Sequence, residues 1–137
     1  MAGVETKVEQ TDDRAALVAR LRESKGEFEV EAAEAGREAG KAWARGAAGY
    51  GELKHLSDFT LKVGGDLAKV IYGAQACPSG VLFDAIRPDQ ADDADAFAEF
   101  AEAAFEGVCD SCSNNPAFVM GFIEAAVAEF DEVKDEL

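Results

Sequence analysis

Between Pro88 and Val133 the sequence contains no Lys, Arg or His. A tract without bases has nothing with which to grip a phosphate backbone or an anionic bilayer, and the net charge of −15 for the whole chain deepens that exclusion. Direct nucleic-acid binding and membrane-surface binding are therefore not expected. Alternating β-branched stretches are nearly absent, which argues against a sheet. No apolar run approaches the roughly 18 residues needed to cross a bilayer. Residues 1–10 are mixed and polar, with no basic stretch leading into an apolar one, so the reading expects a cytoplasmic protein. The spacings of Gly49-Tyr50-Gly51 and Gly64-Gly65 match no phosphate-cradling loop, so no nucleotide site is expected.

What is present is helical. In a chain of 137 residues, 48% are hydrophobic and 30% charged, enough for one core and too little length for two ordinary domains. Abundant Ala, Glu, Leu and Phe at helical period predicts an all-α, single-domain bundle of about five helices over 1–137. Residues 1–10 are expected to be flexible and 74–93 to form a long connection. The first helix is expected over Asp12–Ser24, with Ala16, Leu17, Leu21 and the Arg20 methylenes on one side and Gly26 ending or bending it. The second is expected over Glu27–Gly46, with Trp43 as anchor and a small-residue stripe of Ala32, Gly36, Gly40 and Ala44 that lets another backbone approach closely. A third is expected over Tyr50–Val63, interrupted by Gly64-Gly65 before a short piece over Asp66–Tyr72. In the connection, Val81-Leu82-Phe83 reads as a short strand or hydrophobic plug. Two C-terminal helices follow, Ala91–Gly107 and Ala117–Glu136, the latter opened by Asn115-Pro116. Nine Phe exceed the need of one small core, so homodimerisation through the Gly36/Gly40 helix or the Phe-rich C-terminal helices is a further expectation.

The charge is unevenly laid out. Residues 1–87 carry a net charge of −2, whereas 88–133 carry −12. On the fourth helix Asp95, Glu99, Glu102 and Glu106 fall at spacings of four, three and four, which places their carboxylates on one face. Asp92, Asp93 and Asp110 extend that surface. Arg37, Lys41 and Arg45 recur every four residues and form a short cationic stripe that is the candidate internal partner. If the stripe does not neutralise the acids, the surface is fitted to a basic protein surface or an Arg-rich segment, with carboxylates able to stand where phosphates would in a nucleic-acid mimic.

Four residues offer an alternative chemistry. Cys109 and Cys112 form a CxxC, and Cys77 and His55 complete the inventory of a Cys3His zinc site. One CxxC supplies two ligands with local geometry, and the fold must place the others. Thiol redox is the related reading, although the odd count of three cysteines leaves one thiol over and favours reduced side chains. The CxxC also resembles the redox pair of alkylhydroperoxidase-like helical proteins, but Pro116 stands where their histidine would fall. Glu52 and His55 make an ExxH, the half-motif of di-iron bundles, which require two such motifs. Leu53 and Leu56 flank His55 and suggest a partly buried histidine rather than a catalytic base. The C-terminal string Lys134-Asp135-Glu136-Leu137 reads as ordinary helix-end residues rather than a retrieval address. The balance of these readings is a non-enzymatic interaction module without cofactor, zinc or thiol chemistry being the alternative.

Overall fold

The computed structural model describes residues 2–74, 77–108 and 110–137, with side chains described for 13–74, 77–108 and 112–137. Its helices are α1 (Ala2–Gly46), α2 (Tyr50–Val63), α3 (Leu67–Gly73), α4 (Pro78–Ile86), α5 (Ala94–Ala104), α6 (Asp110–Ser113) and α7 (Pro116–Val133). Short 3-10 turns occupy Gly64–Asp66, Pro88–Gln90 and Lys134–Glu136. The fold class is all-α as expected, and no strand occurs among the described residues. No helix among them is long and apolar enough to cross a membrane.

Two compact units divide the chain, Met1–Glu31 and Ala32–Leu137. The first contains one element, the N-terminal part of α1. The sequence predicts two helices where α1 runs unbroken, because a glycine such as Gly26 commonly ends or bends a helix. A helix-interior glycine costs only about 1 kcal/mol, and Gly26 is flanked by the strong helix formers Lys25 and Glu27, so the helix continues through it. Leu17 and Leu21, expected on one side of the helix, are exposed.

The second unit is the bundle. Trp43, near the end of α1, is buried with its ring centroid 5.6 Å from that of Phe100 on α5 and 5.4 Å from that of Phe122 on α7. Edge-on contacts continue from Phe100 to Phe105 and from Phe105 to Phe118 and Phe122, so one aromatic cluster joins three helices. Leu56 of α2, Ile71 of α3 and Leu82, Phe83 and Ile86 of α4 complete the core. α2 spans the expected residues. Gly64, at φ 53°, adopts the left-handed conformation that ends it.

The segment expected to be a long connection holds α4. Pro78 and Gly80 are common loop residues, but Pro78 stands at the first helical turn, where its missing N–H costs nothing. Val81-Leu82-Phe83 is therefore helical rather than a strand, with Leu82 and Phe83 fully buried. α7 opens as the sequence predicts, with the Asn115 side chain accepting from Ala117 N at 2.8 Å.

The small-residue stripe has a definite role inside this unit. A Cβ at Gly36 would collide with the Phe118 carbonyl, one at Gly40 with the Phe122 carbonyl, and one at Gly121 with the Ala33 carbonyl. Glycine at these positions lets the α1 and α7 backbones touch. The Gly36/Gly40 face expected as a homodimer surface is thus occupied within the chain. The buried Phe83, Phe100, Phe105, Phe118 and Phe122 fill a single core, Phe130 is buried against Tyr50, and the phenylalanine left in solvent is Phe28 of the first unit.

Candidate functional site

α5 begins where Asp93 accepts hydrogen bonds from Asp95 N and Ala96 N, both at 3.0 Å, which caps the helix and favours its positive end. Phe100, Ala96 and Ala104 turn inward and hold the helix on the core. Because those positions fix the helix rotation, Asp95, Glu99 and Glu102 turn outward together, and all three are exposed. Glu106 follows in the turn that Gly107 closes at φ 77°, and it too is exposed. Asp92 and Asp93 precede the helix and are exposed. Asp110 lies in α6, and its side chain is outside the described residues. The helix is three residues shorter at each end than the sequence suggests, because Asp93 caps it and Gly107 closes the turn that follows it.

The cationic stripe of α1 goes elsewhere. Arg45 pairs with Glu129 of α7 at 2.8 Å, and Arg37 approaches Glu124 of α7 at 4.0 Å. The Arg45 guanidinium is held above its usual pKa by the hydrogen bond and then the charge of Glu129. Lys41 makes no ion pair among the described residues. Among those residues Asp92, Asp93, Asp95, Glu99, Glu102 and Glu106 have no salt-bridge partner either. The stripe therefore neutralises carboxylates of α7 and leaves those around α5 uncompensated. Sequence periodicity placed both stripes but not their pairing, since it does not say which helix α1 packs against.

The four residues of the alternative site separate. His55 is exposed rather than partly buried, and its Nδ1 lies 3.1 Å from the Ile86 carbonyl. It borders a shallow cleft of about 400 Å³ with Gly51, Glu52, Ile86 and Arg87. Glu52 accepts from Gly49 N at 3.0 Å and from Arg87 Nε at 2.9 Å. Both members of the ExxH are thus engaged in joining α2 to the end of α4. Cys77 is a free, exposed thiol before α4, and with Ser79, Phe97, Ser113 and Asn114 it lines a different cavity, of about 590 Å³. Ser79 is 5% exposed and donates from both N and Oγ to Asn114 Oδ1, at 3.1 and 2.9 Å. Cys112 of α6 is disulfide-bonded rather than reduced. An odd cysteine count requires only one free thiol, and Cys77 supplies it. Cys109 lies outside the described residues. Among the described residues no three His, Cys, Asp or Glu side chains gather where they could share a metal ion.

The cleft between α2 and the end of α4 has no local signal in the sequence, because Arg87 and His55 are far apart in the chain. No protein family, curated protein or solved structure matches the chain at a significant level.

Proposed function

We propose that the chain is a non-enzymatic interaction module whose α5 surface binds a cationic partner. The observation that carries this reading is the shared outward face of Asp95, Glu99 and Glu102 on α5, with Glu106 exposed in the turn after it, none of them ion-paired among the described residues, while Arg37 and Arg45 are engaged by α7. Like charges at these spacings destabilise an isolated helix by a few tenths of a kcal/mol per pair. A basic surface or Arg-rich segment relieves that repulsion and gains steering from the surrounding negative field. Asp92 and Asp93 extend the same potential to the start of the helix. A partner that ordinarily holds phosphate meets a comparable array of anionic oxygens, which makes nucleic-acid mimicry the finer form of the reading. The experiment is capture of basic proteins by wild type and by the Glu99→Lys/Glu102→Lys variant. Loss of capture supports the surface, and unchanged capture of every partner removes it. Competition by DNA or RNA for the same partner separates mimicry from other acidic docking.

A second reading, thiol exchange, is favoured by one observation. The disulfide-bonded Cys112 immediately precedes Ser113 and Asn114, which share a cavity with the free thiol of Cys77. Wild type that exchanges with a small disulfide, and a Cys77→Ser variant that does not, would support it. Zinc binding requires thiolates, so it belongs to a reduced form of the same residues.

A further inference from the structure

The described residues of the first unit are helix alone, and among its described side chains Leu17 is 43% exposed, Leu21 53% and Phe28 54%. A helix gains most of its stability by packing an amphipathic face, and the described side chains of this unit show no such packing. Leu17, Leu21, Ser24 and Phe28 follow spacings of four, three and four, which places them on one face with the spacing of a coiled-coil seam. In heptad terms Leu17 and Ser24 take position d, and Leu21 and Phe28 position a.

The charges select the occupant of that seam. Residues 14–25 carry Arg14, Arg20, Arg22 and Lys25 against Glu23 alone, while residues 27–31 carry Glu27, Glu29 and Glu31. One end of the segment is basic and the other acidic, so it is complementary to a reversed copy of itself. We propose that this part of α1 pairs antiparallel with the same segment of a second chain. In that register a positions meet d positions: Leu17 packs against the second copy's Phe28, and Leu21 against its Ser24. Arg14 and Glu31, the next a and d positions, meet at either end of the seam. The flanking g positions set Arg20 against Glu27, an opposite-charge pair made twice by the two-fold symmetry. A parallel pair instead stacks Arg14 on Arg14 and Glu31 on Glu31, and brings Arg20 beside Lys25. Gly26 falls at position f, away from the seam, and a Cβ there meets nothing within 4 Å.

The test is sedimentation equilibrium of the full chain from micromolar to millimolar concentration at physiological ionic strength, with Trp43 fluorescence confirming that the bundle is intact. Wild type is expected to form a concentration-dependent dimer, and Leu21→Glu to abolish it. Arg20→Glu and Glu27→Arg are each expected to weaken self-association about tenfold, since each turns two attractive pairs repulsive. Residues 20 and 27 do not contact one another along one helix, so recovery of the dimer in the Arg20→Glu/Glu27→Arg double variant, or on mixing the two single variants, identifies the antiparallel register. A wild type that stays monomeric throughout, a dimer indifferent to either reversal, or a double variant no better than the singles overturns the proposal.

Discussion

Arg45 Nε donates to Glu129 Oε2 at 2.8 Å, joining residues 84 positions apart in the sequence. The pair ties the end of α1 to α7 and removes one cation that could have answered the acids of α5. Both its charge and its hydrogen bond lie at the surface, where solvent and salt screen them. Replacing Arg45 by Gln is expected to lower the melting temperature slightly, with the difference disappearing at high salt. A difference that persists in molar salt would show that the side chain stabilises by packing instead.

The glycines of α1 are predicted to respond in opposite directions. Gly36→Ala or Gly40→Ala forces a methyl group into the α7 backbone and is expected to cost about 1–3 kcal/mol, seen as a lower unfolding midpoint in denaturant. Gly26→Ala meets no neighbour and gains about 0.5–1 kcal/mol of local helix stability. Far-UV circular dichroism during thermal melting distinguishes the two effects, with Gly26→Ala raising helicity at intermediate temperatures.

Burial, and secondarily the charge of Asp92, raises the pKa of the Asp84 carboxyl. The folded chain therefore holds this proton to higher pH than the unfolded chain does, and stability from this group falls as pH rises through the interval between the two values. Asp84→Asn removes that loss. The variant is expected to be more stable than wild type at neutral pH, by no more than about 0.5 kcal/mol because Asp84 remains largely exposed to solvent. The advantage should vanish below the ordinary carboxylate range, where both states are protonated. Equal midpoints at both pH values would remove the assigned cause.

Truncating Phe100 to Ala tests whether the aromatic cluster is the principal support of the bundle. Phe100 is fully buried and its ring meets those of Trp43, Phe83, Phe105 and Phe122, so a loss of about 3–5 kcal/mol is expected in equilibrium denaturation. A loss under 1 kcal/mol would mean that neighbouring rings collapse into the space.

Much of this architecture is legible residue by residue. Asn115-Pro116 announces the start of α7 because a cap and a first-turn proline are local chemistry. Asp95, Glu99 and Glu102 are legible as one outward face because helical period and the cost of burying charge both act locally. α4 was hidden because Pro78 and Gly80 carry the same residue signature at a helix start as in a loop, and the apolar run after them is too short to show a period. Leu17, Leu21 and Phe28 show the converse: their spacing marks an apolar face but does not say whether the same chain covers it. The destination of Arg37 and Arg45 was illegible because it depends on the contact of Gly36 and Gly40 with α7, a tertiary event.

The claim that the acids around α5 are available to a cation is tested most directly by titrating an oligo-arginine peptide into the full chain by calorimetry at two salt concentrations. The variants compared are Glu99→Lys/Glu102→Lys and, as a control of equal charge change, Glu124→Lys/Glu129→Lys. Wild type is predicted to bind with an affinity that falls as salt rises, the α5 reversal to weaken binding at least tenfold, and the α7 reversal to weaken it much less. Equal losses in the two variants would attribute binding to net charge alone, and no loss in the α5 variant would contradict the account outright.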